Sequence, residues 1–316
     1  MVASLWRISK QTAVVRASDY FYPRDPVSHT IHIVAVTYNS VFLGEFMLPD
    51  WDMFHSLHTA AEYHASARAI SGGPIYVSDA PGKHNFELLK KVVLPDGSIL
   101  RACLLGRPTS DYLFSDPSRD GFFFDCSLLK ILSMNKFTGV LGVYNCQGAA
   151  WSSTEIKNAF HQTTTETLTG TIRGRDVHLI IEAATDSNWS LPVSLKVLEH
   201  GIFTVTHIKV LATGFSFAPL GLTNMFNAGG AIKGLKFEVK GGVELSELDD
   251  GYRGESSGVT EEGCGKFGAY SSAKPRKCIV DSNVVDFVYN LNSRLVGFSL
   301  DSLREKGKFH VVEIES

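Results

Sequence analysis

The chain has 316 residues, 44% of them hydrophobic, and a formal net charge of −3. That length can bury a large core and fits two domains, while scattered Lys and Arg form no basic stripe, which argues against nucleic acid as a partner. No apolar run reaches a membrane span, the N-terminal residues lack the apolar stretch of a signal peptide, and the five cysteines at 103, 126, 146, 264 and 278 include no Cys-x-x-Cys pair, which argues for reduced thiols and against zinc.

A soluble protein of the cytoplasm is the expectation, with the plastid as alternative. The sequon Asn188-Trp-Ser190 is expected to stay unmodified there.

In chain order, Thr12-Ala-Val-Val-Arg-Ala-Ser-Asp19 is an apolar run ending in Arg16, Ser18 and Asp19. A helix is expected over 28–43. Phe46-Met-Leu-Pro-Asp-Trp-Asp52 then reads as a short strand ending in two carboxylates that flank an indole. Behind it Met53, Leu57, Ala60, Ala61 and Ala67 recur mostly at three- and four-residue intervals, one face of an amphipathic helix. A third strand, over 73–79, ends in Asp79 and leads through Ala-Pro-Gly-Lys83-His84 into a short helix with Phe86, Leu89 and Val93 on its apolar side.

These are three strand–polar tip–helix units at roughly thirty-residue spacing, the period of βα repeats. Each carries its charge at the C-terminal end of its strand, the face where parallel barrels keep their chemistry. A closed barrel needs about eight strands and 250 residues, and the pattern stops near residue 100. The expectation is a partial (β/α)8 barrel over 1–110, its last three units, with the earlier ones lost from the front.

From about residue 125 strands follow one another without helices. They are expected over 127–134, 139–146, 166–172, 177–182, 201–211, 235–239, 284–291, 295–300 and 309–314, with Gly and Asn turn signals between them. That density reads as an antiparallel β-sandwich over 111–316. The Gly- and Ser-rich stretch 242–277 reads as a long flexible loop, and Asp281 as a turn cap. His29, His32, His55, His58 and His64 are expected on helix faces rather than around a metal.

Several long motifs carry a resemblance. They include Arg16-Ala-Ser-Asp19 with Phe21-Tyr-Pro-Arg-Asp-Pro26, Pro49-Asp-Trp-Asp-Met-Phe-His-Ser56 and Pro74-Ile-Tyr-Val-Ser-Asp79 with Pro81-Gly-Lys-His-Asn85. Further along come Asn145-Cys-Gln-Gly148, Phe215-Ser-Phe-Ala-Pro-Leu220 and Met225-Phe-Asn-Ala-Gly-Gly230. In these the chain resembles the raffinose synthase and alkaline α-galactosidase (seed-imbibition protein) group of plants, within the family 36 glycoside hydrolases.

The resemblance implies a (β/α)8 barrel followed by a β-sandwich. It also implies transfer of an α-galactosyl group with retention, from galactinol to sucrose in the raffinose synthases. Galactinol, sucrose and raffinose are thus the implied small-molecule partners, and no cofactor or metal is implied.

Retention takes a nucleophile and an acid/base about 5–5.5 Å apart. In the group the nucleophilic Asp stands in a Lys-Val-Asp segment, and no Lys-Val-Asp occurs in this chain. The position implied for the acid/base is Tyr20, with Asp19 beside it. A phenol of ordinary pKa, about 10, is a poor proton donor to a leaving sugar at neutral pH. Substrate contacts are expected from Arg16, Asp50, Trp51, Asp52, Asp79 and Lys83. Phe122-Phe-Phe-Asp-Cys126 reads as an insertion, Leu132-Ser133 replaces the group's usual pair, and about twenty residues present in the group are absent between Trp189 and Ser190. A missing strand unpairs its neighbours, so damage to the sandwich is expected there.

The expectation is a raffinose synthase-like fragment, catalytically impaired as it stands. The alternatives are an α-galactosidase and a non-catalytic carbohydrate-binding or decayed member.

Overall fold

The computed structural model describes residues 13–119, 128–160, 167–177, 189–211, 214–237, 258–300 and 309–315. By contacts the chain divides into two compact units. One comprises Met1–Leu89, Arg101–Met134 and Val140–Phe203; the other Lys90–Leu100, Asn135–Gly139 and Thr204–Ser316. The proposed insertion at 122–126, most of the strand expected over 177–182 and the first part of the loop expected from 242 lie outside the described residues.

In the first unit, β1 (Val14–Arg16) and β2 (Leu48–Asp50) pair in parallel, with Arg16 opposite Asp50. Parallel neighbours need a crossover, and α1 (Ser28–Leu43) supplies it. Its bounds are those expected from the sequence. Ile33, Val36, Thr37 and Ser40 are buried at three- and four-residue spacing, so one face meets the core. Gly44 ends the helix, its N–H donating to the Ser40 carbonyl.

A third extended segment lies beside the second. Phe54 and Val77 form a parallel bridge, in which Phe54 N–H donates to the Tyr76 carbonyl and Ser78 N–H to that of Phe54. Gly73 approaches the Pro49 carbonyl so closely that a β-carbon could not fit.

Two helix expectations need correction. The helix expected directly behind Asp52 is α2 (Ala61–Ile70), nine residues later. Asp52 has φ +63°, off the right-handed helical path, and the backbone at Phe54 is committed to the third segment. Leu57 is accordingly exposed. The short helix α3 (Phe86–Leu89) buries Leu88 and exposes Phe86, so its inward side is not the expected one. At four residues it is a single turn, too short for periodicity to fix a face.

The sheet of this unit follows the order β10-β5-β4-β3, built from β3 (Arg107–Pro108), β4 (Leu129–Met134), β5 (Thr138–Tyr144) and β10 (His200–Thr206). Leu129, Ile131, Val140, Tyr144 and Cys146 share one core with Ile33, Val36, Trp51, Tyr63, Ala67 and Ile70. Among the described residues the unit also has two antiparallel pairs: β6 (Ala149–Ser152) with β7 (Lys157–Phe160), and β8 (Thr167–Arg173) with β9 (Ser190–Lys196).

The β8–β9 register is continuous from Thr167 opposite Lys196 to Arg173 opposite Ser190, and among the described residues the two form a sheet of their own. Lys130 ties this pair down. Its Nζ lies 2.6 Å from Asp176 Oδ2 and 2.5 Å from Asp111 Oδ2, with Lys130 and Asp176 both buried.

The second unit holds two five-stranded antiparallel sheets. One, in the order β11-β12-β15-β19-β18, consists of β11 (Lys209–Val210), β12 (Ser216–Leu222), β15 (Lys266–Ser271), β18 (Val288–Asn290) and β19 (Leu295–Ser299). The other, β13-β14-β20-β16-β17, consists of β13 (Ile232–Lys236), β14 (Gly258–Glu262), β16 (Lys277–Val280), β17 (Asn283–Val285) and β20 (Phe309–Glu315). Phe217, Phe267, Ala269, Val296 and Phe298 from one meet Val259, Cys278, Val280, Val312 and Ile314 from the other in a single core.

The later part of the expected loop is therefore sheet. β14 lies between β13 and β20, and β15 between β12 and β19. The alternation is present, Val259 and Glu261 inward, but a buried Glu hid it. Asp281 begins a two-residue turn with Ser282, both at positive φ. Its carboxylate accepts from the Val311 N–H and lies 2.7 Å from His310 Nδ1.

Candidate functional site

The polar tips of β1 and β2 meet on one face. Parallel register puts Arg16 beside Asp50. Arg16 Nη1 lies 3.1 Å from Asp52 Oδ1. Asp52 Oδ2 accepts the Phe21 N–H at 2.7 Å, so the carboxylate of the second strand tip fixes the loop that follows the first. Asp50 caps the Asp52 backbone, its Oδ1 accepting the Asp52 N–H at 2.8 Å. The left-handed φ of Asp52 turns its side chain under the loop, a conformation that Asp tolerates better than most residues.

Tyr76, from the third segment, bridges the two carboxylates. Its hydroxyl donates to Asp50 Oδ2 at 2.8 Å and lies 3.4 Å from Asp52 Oδ1. Burial and the hydrogen bond to Asp50 raise its pKa above the usual phenol value, so it stays a donor. Tyr76 keeps 38% of its surface exposed. Neither it nor Arg68 figured among the sequence candidates. For Tyr76 the signal was present, since it stands three residues before the tip Asp79.

Arg68 of α2 lies beneath the cluster, fully buried. Its Nε donates to the Asp52 carbonyl and its Nη2 to the Met53 carbonyl, each at 3.2 Å, while Nη1 reaches His64 Nδ1 at 2.7 Å. Burial lowers the Arg68 pKa to about 10, and the nearby Asp52 and Asp50 charges oppose that fall. His64 must accept through Nδ1, so it is neutral. Burial first, and Arg68 second, hold its pKa well down. His32 is pushed to about 3 by burial, then by Arg68, with its Nε2 hydrogen-bonded to the Trp51 carbonyl.

Four of the five histidines pack around Phe21. The rings of His64, His32, His29 and His58 lie 4.0, 5.4, 5.9 and 6.3 Å from it. His29, His32 and His64 stand on α1 and α2, while His58 precedes α2. Among the described residues no group of His, Cys, Asp or Glu is arranged to hold a metal.

The expected contacts sort differently from their sequence reading. Trp51 is fully buried and its Nε1 donates to Ser40 Oγ at 2.9 Å, so the indole packs in the core and offers no platform to a sugar. Alternation along the strand, with Asp50 outward, sends it there. Asp52 is 2% exposed with both oxygens engaged, and it organises the site from below. Asp79 is another anchor: its oxygens accept the Ser56 N–H and hydroxyl at 2.8 and 2.6 Å, and His84 Nδ1 lies 3.1 Å away. Burial works to raise the Asp79 pKa, but these partners prevail and hold it below the usual value. Lys83 is exposed on the turn over 80–83.

On the open side stand Arg16, Asp50 and Tyr76, with Asp19 and Tyr20 beside them. Tyr20 is 60% exposed, and the Arg16 guanidinium lies 4.4 Å from the centre of its ring. Asp19 Oδ1 accepts the Tyr20 N–H at 2.8 Å. A carboxylate acceptor, a phenol, and a guanidinium sandwiched between an acid and a ring suit polyhydroxylated ligands. Nothing in this group resembles an opposed pair of free acids.

A family model described as raffinose synthase or seed imbibition protein Sip1 matches residues 2–190 and 185–300. Among curated proteins the chain is 62% identical over 330 residues to "Probable galactinol--sucrose galactosyltransferase 6" of Arabidopsis thaliana, covering 97% of this chain and 42% of that protein. It is 49% identical over 313 residues to "Probable galactinol--sucrose galactosyltransferase 1" of Arabidopsis thaliana, covering 92% and 40%. With the "Stachyose synthase" of Pisum sativum it shares 34% over 310 residues, covering 88% and 34%. The chain thus spans well under half the length of these relatives.

Proposed function

We propose, on the premise that this chain belongs to the raffinose synthase or seed imbibition protein family, that it carries the galactosyl-binding side of a galactinol–sucrose galactosyltransferase without that enzyme's catalytic pair. In this reading residues 1–110 are the last three units of a (β/α)8 barrel, and 111–316 are the sandwich that follows it. The parallel pairing of β1 with β2, and of Phe54 with Val77, supports the first assignment. Galactinol, sucrose and raffinose-family sugars are the ligand class, in the cytoplasm.

The observation that carries the reading is the Asp50–Tyr76 pair on the open side of the Arg16–Asp52 ion pair. Tyr76 gives its one proton to Asp50, so the remaining lone pairs of Asp50 and of the Tyr76 oxygen are acceptors, which sugar hydroxyls satisfy by donating. Loss of general acid catalysis typically costs about 10²–10⁴ in rate, and loss of the nucleophile removes the covalent route. With Tyr20 at the acid position and no Lys-Val-Asp segment, the chain by itself binds without transferring.

Calorimetry with galactinol tests the binding half. Saturable heat in the native chain, lost in Asp50→Asn, is expected; equal heat in both would sink it. Incubation with galactinol and sucrose tests the other half, since raffinose formed at the turnover of a full-length relative contradicts it.

A further inference from the structure

We infer that the first unit holds a second saccharide-binding site, a groove floored by α1 and walled by the exposed indole of Trp151, away from the strand tips. The groove is open to solvent, has room for about 360 Å³ and is lined by Ile31, Val34, Tyr38, Asp116, Arg119 and Trp151 among others. Ligand pockets begin at about 300 Å³, so a mono- or disaccharide fits.

Three features give it the chemistry of a sugar site. The first is the indole. Trp151 is 53% exposed although β6 otherwise packs inward, Ala149 and Ala150 both being buried. Trp151 lines the groove. Indoles combine a large apolar surface with little conformational freedom to lose, which suits the C–H face of a hexose.

The second is the polar rim. Arg119 Nε lies 3.4 Å from Asp116 Oδ2, and Arg119 Nη2 donates to the Trp151 carbonyl, so the guanidinium is held at the backbone of β6. Asp116 Oδ1 also accepts the Ser118 N–H at 3.0 Å. Asn158 stands directly opposite Trp151 in the β6–β7 register and adds an amide. The paired charges cancel, so the rim offers donors and acceptors without net charge. That favours a neutral polyol over a phosphate or a carboxylate.

The third is rigidity. The Tyr38 hydroxyl lies 2.5 and 2.7 Å from the Tyr112 and Ser115 carbonyls, which share its one proton, and this pins the segment bearing Asp116 onto α1. A pre-formed site avoids the ordering cost that weakens loop-borne ones.

That the sugar is an α-galactoside rests on the proposed function; the existence of the site does not. Calorimetric titration of the full chain with raffinose, and separately with maltose, tests both. Expected is saturable heat with raffinose that persists in Asp50→Asn/Tyr76→Phe and weakens at least about tenfold when Trp151→Ala is added to that background. In the Asp50→Asn/Tyr76→Phe background, a Trp151→Ala protein that melts like its parent and binds equally well overturns the site. If that variant does not fold, Asn158→Leu, which changes only the exposed rim, must weaken binding by a similar factor, or the site is again refuted. Maltose binding as tightly as raffinose overturns the galactoside assignment. Loss of all signal in the Asp50→Asn/Tyr76→Phe protein shows that binding belongs to the strand tips alone, and the groove fails while the proposed function stands.

Discussion

Arg16 Nη1 lies 3.1 Å from Asp52 Oδ1, and this ion pair joins the tips of two adjacent parallel strands. Asp52 is nearly inaccessible while Arg16 is about one third exposed. One partner is thus held by the fold, and the other closes over it. Beneath, Arg68 holds the Asp52 carbonyl, so backbone and side chain of one residue answer two guanidinium groups.

Substitution of Asp52 separates its charge from its conformation. Asp52→Asn keeps a residue tolerant of positive φ and an acceptor for the Phe21 N–H. Asp52→Ala loses both and leaves a buried donor unmade, a loss of about 1–3 kcal/mol. Urea unfolding at neutral pH is expected to rank native above Asn above Ala, and equal stability of the two variants would contradict the conformational role.

Trp51 stabilises the core and makes no contact with ligand. Trp51→Phe removes the hydrogen bond to Ser40 and some packing. It is expected to lower stability by about 1–3 kcal/mol and to leave galactinol affinity unchanged. A variant of native stability that no longer binds galactinol would restore the indole to the sugar site.

Lys130 is the positive centre of a buried triad with Asp111 and Asp176. Lys130→Met strands two carboxylates and is expected to cost about 3–5 kcal/mol. Lys130→Met with Asp176→Leu and Asp111→Asn should recover most of that loss, because the buried charges go together. Thermal melts of both proteins decide it; a triple variant no better than the single one refutes the explanation.

The two units respond to pH with opposite sign. His32 is held near 3 and His64 well below its ordinary value, chiefly by burial. Protons therefore bind the unfolded chain first. Stability from these rings is complete above about pH 6.5 and falls by up to about 1.4 kcal/mol per pH unit per ring as the medium is acidified. Glu261 behaves oppositely. Burial pushes it up to about 8, Lys233 opposing, so its contribution is complete below about pH 4.5 and is lost as pH rises to 8. Glu261→Gln should flatten the alkaline limb and Phe-for-His at 64 the acid limb. Unchanged limbs in hydrogen-exchange or denaturant profiles would remove the assignment.

The sequence by itself determined the local features. The run 28–43 reads as a helix and is α1 to the residue; 129–134, 138–144 and 309–315 are strands close to their expected bounds. It also placed Arg16, Asp50 and Asp52 at strand tips, because a strand running into a polar turn needs only near neighbours to define it. Which of those tips face solvent was decided in three dimensions. Trp51 and Asp52 lie inside because Ser40, Phe21 and Arg68 receive them from distant elements. Tyr76 joined the site, and Glu261 an interior strand, for the same reason. Alternation fixes which residues share a face, but only packing against another element says which face is the buried one.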